Sequence, residues 1–171
     1  MNLGSEVRFL FNIGDVIVYG AQGICEINRV ETKKVGKISS DYYVLKPLYN
    51  ENTAVFVPVD NEKLTARMQS VLSVEQAQNL IALLPNIKTL DISDESERRN
   101  EYREVLASND RQRLAAVIKT LKKERALRRN NGKKLNLNDE QILNKAELLL
   151  YNELGFVLKI EPGEVADKFL F

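Results

Sequence analysis

The spacing of apolar positions changes period once along the chain, near Ser73. Before that point the apolar residues come in short runs. Val16 to Tyr19 is a continuous run after Gly14-Asp15, and Ile24 to Val35 starts as an alternation and then places Ile27 and Val30 three apart. Tyr42 to Leu48 and Thr53 to Val59 are rich in β-branched and aromatic residues, as strands are. The breaks are Gly20 to Gly23, Gly36 to Asp41, and Asn50-Glu51-Asn52. The last is short enough for a hairpin, so the strands on either side of it should pair antiparallel. Pro58 falls at a strand end, where a missing N–H does little harm. Four strands and a short piece at Leu64 to Arg67 predict a small half-barrel.

After Ser73 the period is helical. Ser73 and Gln76 form a capping-box pattern ahead of Ala77, Leu80, Ile81 and Leu84, and Pro85 stops that helix. Residues 86 to 94 form a connection. Asp94 or Ser96 caps the next helix, with Tyr102, Val105 and Leu106 on its apolar stripe, and Ser108-Asn109 breaks it. Asp110 opens a helix carrying Leu114, Val117, Ile118 and Leu121, ended by Asn130-Asn131-Gly132. Asn138 with Gln141 reads as the cap of a helix bearing Ile142, Leu143, Ala146, Leu149, Leu150 and Leu154, with Gly155 after it. Glu161-Pro162 starts a last short helix, Val165 to Phe171. The expected fold class is α+β, a small β half-barrel followed by an all-α bundle.

Composition removes most catalytic chemistry. The 171 residues contain no histidine and one cysteine, so Ser-His and Cys-His pairs, imidazole ligands and thiolate zinc cages are excluded. No phosphate-cradling glycine loop is present. Asp15, beside Gly14, reads as a turn residue, and we expect no enzyme and no cofactor. No apolar run is long enough for a membrane span, and residues 1 to 10 carry no secretory pattern. Cys25 is expected to be a small buried hydrophobe in a reducing cytoplasm.

Charge is distributed unevenly. Residues 1 to 84 hold 8 basic and 9 acidic side chains, whereas residues 98 to 134 hold 13 basic and 4 acidic. Such a local field attracts a polyanion in a salt-dependent way. One run comprises Lys122, Lys123, Arg125, Arg128, Arg129, Lys133 and Lys134. Some of it follows from the preference for cations at helix C-termini. Arg98, Arg99 and Arg103 open a helix, where cations oppose the dipole, which favours a role in phosphate contact. No aromatics interleave with the run, so stacking on single strands is not expected. In the β half, Tyr42 and Tyr43 must face opposite ways, as must Val55 and Phe56.

The segments Phe11-Asn-Ile-Gly-Asp-Val-Ile-Val-Tyr19, Gly23-Ile-Cys-Glu-Ile27, Tyr43-Val-Leu-Lys46 and Val57-Pro58 resemble the start of the CarD family of bacterial transcription regulators. The same module recurs in the transcription-repair coupling factor. Val105-Leu-Ala-Ser108 with Asp110, the basic helix, and Leu143-Asn-Lys-Ala146 with Glu153-Leu154 extend the resemblance over about residues 11 to 158. It implies a Tudor-like domain at 11–70 that binds the RNA polymerase β subunit, and a helical domain at 73–171 that touches promoter DNA near the bubble, with residues 1–10 as an extension. It also implies stabilisation of the open complex without strong sequence reading and without a cofactor.

On this reading Lys33, Val55, Phe56 and Val57 meet polymerase. Arg98, Arg99, Arg103, Lys122, Lys123, Arg125, Arg128, Arg129, Lys133 and Lys134 meet DNA phosphates. A monomer working in the cytoplasm at the nucleoid, without membrane contact, is expected. Where family members often carry a tryptophan wedge, this chain has Glu95, and it has no tryptophan anywhere. Phe56 replaces a basic residue of the polymerase-facing strands, Lys33 keeps one, and Gln22 stands where the family has a histidine. The competing expectation is a protein adaptor on polymerase that does not engage DNA.

Overall fold

The computed structural model describes residues 10–49 and 53–168. They divide into two compact units between Ser70 and Val71. The first is a five-stranded antiparallel sheet in the order β4-β3-β2-β1-β5. Its strands are β1 (Val16–Tyr19), β2 (Ile24–Val35), β3 (Ile38–Pro47), β4 (Val55–Pro58) and β5 (Met68–Ser70).

The slip in the apolar pattern of β2 is a bulge. Ile27 pairs with Leu45 and Arg29 with Val44, so Asn28 has no opposite residue and the alternation shifts by one. Ile27 and Val30 therefore both reach the core, beside Ile17, Cys25, Tyr43, Leu45, Val57 and Met68. β3 begins earlier than its β-rich stretch suggests. Gly36, with φ 63, makes a tight reversal with Lys37, and Ile38 pairs with Val35 at once, so residues 38 to 41 are strand rather than break. Asn50 to Asn52 lies outside the described residues, while β3 and β4 pair antiparallel as expected. The piece expected at 64 to 67 is instead a one-turn helix, α1 (Glu62–Thr65), capped by Asn61, and the fifth strand follows it. Asp15 has its turn role: its Oδ2 accepts the Asn12 N–H at 2.8 Å.

The second unit contains α2 (Val74–Leu83), α3 (Glu95–Ser108), α4 (Arg111–Asn130), α5 (Leu137–Leu158) and α6 (Pro162–Lys168). Ser73 Oγ accepts the Gln76 N–H and Gln76 Oε1 accepts the Ser73 N–H, which completes the capping box. Pro85 sits in a 3-10 turn, Leu84–Asn86, that closes α2. Asp94 and Asp110 cap α3 and α4, and Asn109 breaks between them at φ 58. Leu114, Val117, Ile118 and Leu121 are buried against Leu143, Ala146, Leu150 and Leu154. α4 and α5 run antiparallel, since Arg111 meets Glu153, Lys122 meets Glu147 and Arg125 meets Glu140. The first of these pairs joins a partly buried arginine to a buried carboxylate. Arg111 Nε and Nη2 donate to both Glu153 oxygens, and Glu153 Oε1 also accepts the Leu72 N–H at 3.0 Å. That network ties the start of the unit to both long helices.

Two boundaries differ from the sequence reading. Asn136, not Asn138, caps α5: its Oδ1 accepts the Asp139 N–H at 2.8 Å. Gly155 does not end α5, which continues to Leu158 and stops at Lys159 with φ 56. Described α6 ends at Lys168, and residues 169–171 lie outside the described part. No helix among the described residues is long and apolar enough to cross a membrane.

Candidate functional site

On the sheet, Tyr43 points into the core at 1% exposure, and its hydroxyl accepts the Leu10 N–H at 2.9 Å. Tyr42 therefore takes the opposite face, half-buried. The same alternation buries Val57 completely, leaves Val55 half-buried and exposes Phe56. Lys33 on β2 brings the outward residues together. Its Nζ lies 3.3 Å from the centroid of the Phe56 ring and 5.9 Å from that of Tyr42. Lys33, Tyr42 and Phe56 come from three successive strands and form one cation–aromatic patch. Alternation alone left open which of Tyr42 and Tyr43 faces outward, and it is Tyr42. β4 is an edge strand, so its backbone is available on the side away from β3. Of the three β4 residues named for partner contact, Phe56 offers both a side chain and outward backbone groups, whereas Val57 is buried and its backbone N–H and C=O face Tyr43 of β3.

In the helical unit, ion pairing divides the basic residues. Arg98 lies 3.8 Å from the buried Asp139 carboxylate, and Arg99 pairs with Glu95. Two of the three cations that open α3, Arg98 and Arg99, thus have carboxylate partners, whereas Arg103 takes part in no ion pair among the described residues. Glu95 gains as well, since it lies in the first turn of α3, where the dipole favours a carboxylate. Lys122 holds Glu147 at 3.1 Å and donates to Tyr151 Oη, Arg125 holds Glu140 at 3.1 Å, and Arg128 holds Glu124 at 2.8 Å. Burial, then the Glu147 carboxylate, pushes the Tyr151 hydroxyl up, so it stays a neutral partner for Lys122. Among the described residues Arg103, Lys123, Arg129, Lys133 and Lys134 take part in no ion pair, and all five are exposed.

Three of those five share the corner between α4 and α5. The corner is well fixed. The Asn131 and Lys133 N–H groups both donate to Arg128 O, and the Gly132 N–H donates to Arg129 O, with Gly132 at φ 68. Leu135 is then buried in the core and Asn136 caps α5. Arg129, Lys133 and Lys134 are therefore held in place by backbone bonds, while their charges stay in solvent.

Residues 11–72 match the family model for the CarD-like/TRCF RID domain, and residues 79–169 match that for the CarD C-terminal domain. The chain belongs to the CarD family. A CarD-type polymerase-interacting domain followed by a CarD C-terminal domain marks an RNA polymerase-interacting transcription regulator, from a family of non-catalytic transcription factors.

Proposed function

We propose that this CarD-family chain binds the β subunit of RNA polymerase through the outer edge of β4 and the Lys33–Tyr42–Phe56 patch. Its helical unit then sets exposed cations on promoter phosphates near the bubble and modulates the lifetime of the open complex. The observation that carries this is the division of the basic segment. Cations not needed to hold helices together are concentrated on a rigid corner, where they serve no internal pairing. Phosphate contacts of that kind position a protein on DNA without reading sequence. Tethering to polymerase raises the effective concentration at the promoter, so weak DNA contact suffices. The chain acts as a single copy, in the cytoplasm at the nucleoid, and without a cofactor.

The test is capture of RNA polymerase by the wild type and by Phe56→Asp, followed by open-complex lifetime on a linear promoter. Phe56 is exposed, so the substitution spares the core. It places a carboxylate at the patch centre and should weaken capture by roughly tenfold or more. Longer open-complex lifetimes with wild type, lost with the variant, support the proposal. Capture without any effect on lifetime supports the adaptor reading, which the internal pairing of Arg98, Arg99, Lys122, Arg125 and Arg128 favours. Failure of wild type to capture polymerase overturns both.

A further inference from the structure

α3 meets the start of α5 through a polar junction. Arg98 and Tyr102 lie one turn apart on one face of α3, and Asp139 lies in the first turn of α5. Tyr102 and Asp139 are buried. Helical side chains lean toward the N-terminus, so Tyr102 leans back over the turn that carries Arg98. Its hydroxyl there feels the charges of Arg98, Asp139 and Glu124. Two atoms of the junction, Tyr102 Oη and Arg98 Nε, are buried and have no hydrogen-bond partner among the described residues. A third contact is incomplete. Arg98 Nη2 stands 3.8 Å from Asp139 Oδ2, beyond hydrogen-bond reach, while Asn136 Nδ2 donates to the same oxygen at 2.6 Å. Buried donors without an acceptor are costly and rare in folded chains, and here two of them stand beside an overlong ion pair.

We infer that this junction is a binding site for one water molecule, which accepts from Tyr102 Oη and Arg98 Nε and donates to the Asp139 carboxylate, fastening α3 to α5. The site offers two donors on α3 and an acceptor on α5, which complements the acceptor and donor positions of a single water. A polar contact longer than 3.5 Å with further donors beside it is the place where a water bridges. Burial holds the Tyr102 hydroxyl protonated, so it remains a donor. A halide would match the two donors alone. It fits less well, because Asp139 already faces Arg98 with a negative charge and Glu124 adds another within reach of the hydroxyl. The fastening matters for α3 in particular, since Tyr102 and Val105 are its only buried residues.

The test is a double-mutant cycle on the full chain, with denaturant unfolding followed by helical circular dichroism. Tyr102→Phe removes the hydroxyl and keeps the ring. Arg98→Lys keeps a cation facing Asp139 and removes Nε. Each should lower the folding equilibrium constant by about five- to thirtyfold, because the water loses a partner and the remaining groups are left short of one. The double variant should cost clearly less than the product of the two losses, since both act through one water. Replacing chloride by gluconate at constant ionic strength should leave wild type unchanged. If Tyr102→Phe is neutral or more stable than wild type, the hydroxyl is dry and the inference falls. If the two losses simply multiply, the donors share no occupant and the inference falls as well. Wild-type stability that rises with chloride, in a way lost with Tyr102→Phe, overturns the water in favour of a bound halide.

Discussion

Cys25 is fully buried, its Sγ 3.6 Å from the Gly23 carbonyl, and burial pushes its thiol up to about 12. Two consequences follow. At neutral pH the native thiol stays protonated and enclosed, so an aromatic disulfide reagent should label it only after denaturant opens the sheet. The second concerns alkaline stability. The folded state keeps the proton well above the ordinary value of 9.0, while the unfolded chain loses it there. Between about pH 9 and pH 12 the unfolded state binds fewer protons, so stability is full below that window and falls as pH rises through it, by up to about 1.4 kcal/mol per pH unit. Denaturant midpoints of wild type and Cys25→Ala, compared at neutral pH and at about pH 10.5, should converge as the wild type loses this contribution. Tyr102, also pushed up to about 12 by burial, remains in both proteins and adds the same slope to each, in the helical unit. A constant gap between the two proteins across that range would show that the thiol does not titrate with folding.

The individual elements show what local sequence can and cannot decide. Caps built from neighbouring residues were largely legible: the Ser73–Gln76 box, the Asp110 cap and the break at Asn109 form as the pattern implies, and of the two candidates for the α3 cap, Asp94 and Ser96, it is Asp94. The slip between Ile27 and Val30 was visible as spacing, and it is the bulge. The start of α5 was not decidable locally. Asn136 and Asn138 are each followed three residues later by a polar side chain, and the choice depends on Asp139 being buried beside Arg98 of α3. Gly155 misleads for a similar reason. Glycine commonly ends a helix, but here it lies inside α5 because the chain reverses at Lys159 and passes over it. A Cβ at 155 would lie 2.8 Å from the Ile160 carbonyl oxygen and 3.4 Å from Pro162 N. In a helix interior glycine to alanine ordinarily stabilises by about 1 kcal/mol. Gly155→Ala should instead destabilise by about 1–3 kcal/mol, because both obstructing groups are backbone and the turn into α6 must shift. Thermal unfolding checks this, and a raised melting temperature would mean that the Ile160 turn yields freely.

For the whole molecule, near-neutral net charge conceals a sorted distribution. Some acidic partners of the basic segment are near in sequence, as Glu124 is to Arg128, but others are distant, and the fold brings Glu140, Glu147 and Glu153 of α5 against α4. A count of charge along the chain therefore overstates the field that a ligand meets, and it cannot separate helix-joining cations from exposed ones. The separation has a measurable form. Arg125→Glu sets a carboxylate against Glu140 and opens an inter-helix pair. Both side chains of that pair are more than a third exposed, so the loss in stability should stay within about 1 kcal/mol. Promoter retention should change little, since Arg125 is already neutralised. Lys133→Glu with Lys134→Glu breaks no ion pair among the described residues, so thermal stability should hold. DNA retention by the polymerase complex should fall, and the slope of log affinity against log salt should shrink by about 0.9 for each phosphate contact removed. Measuring both variants for melting temperature and for salt-dependent promoter retention makes the comparison internal. If reversing Arg125 costs as much retention as reversing the two lysines, the field acts as a sum over the whole segment and the internal pairs do not shield it. If only the lysines matter, the corner between α4 and α5 is where this chain meets DNA, and the other arginines serve to hold that corner in position.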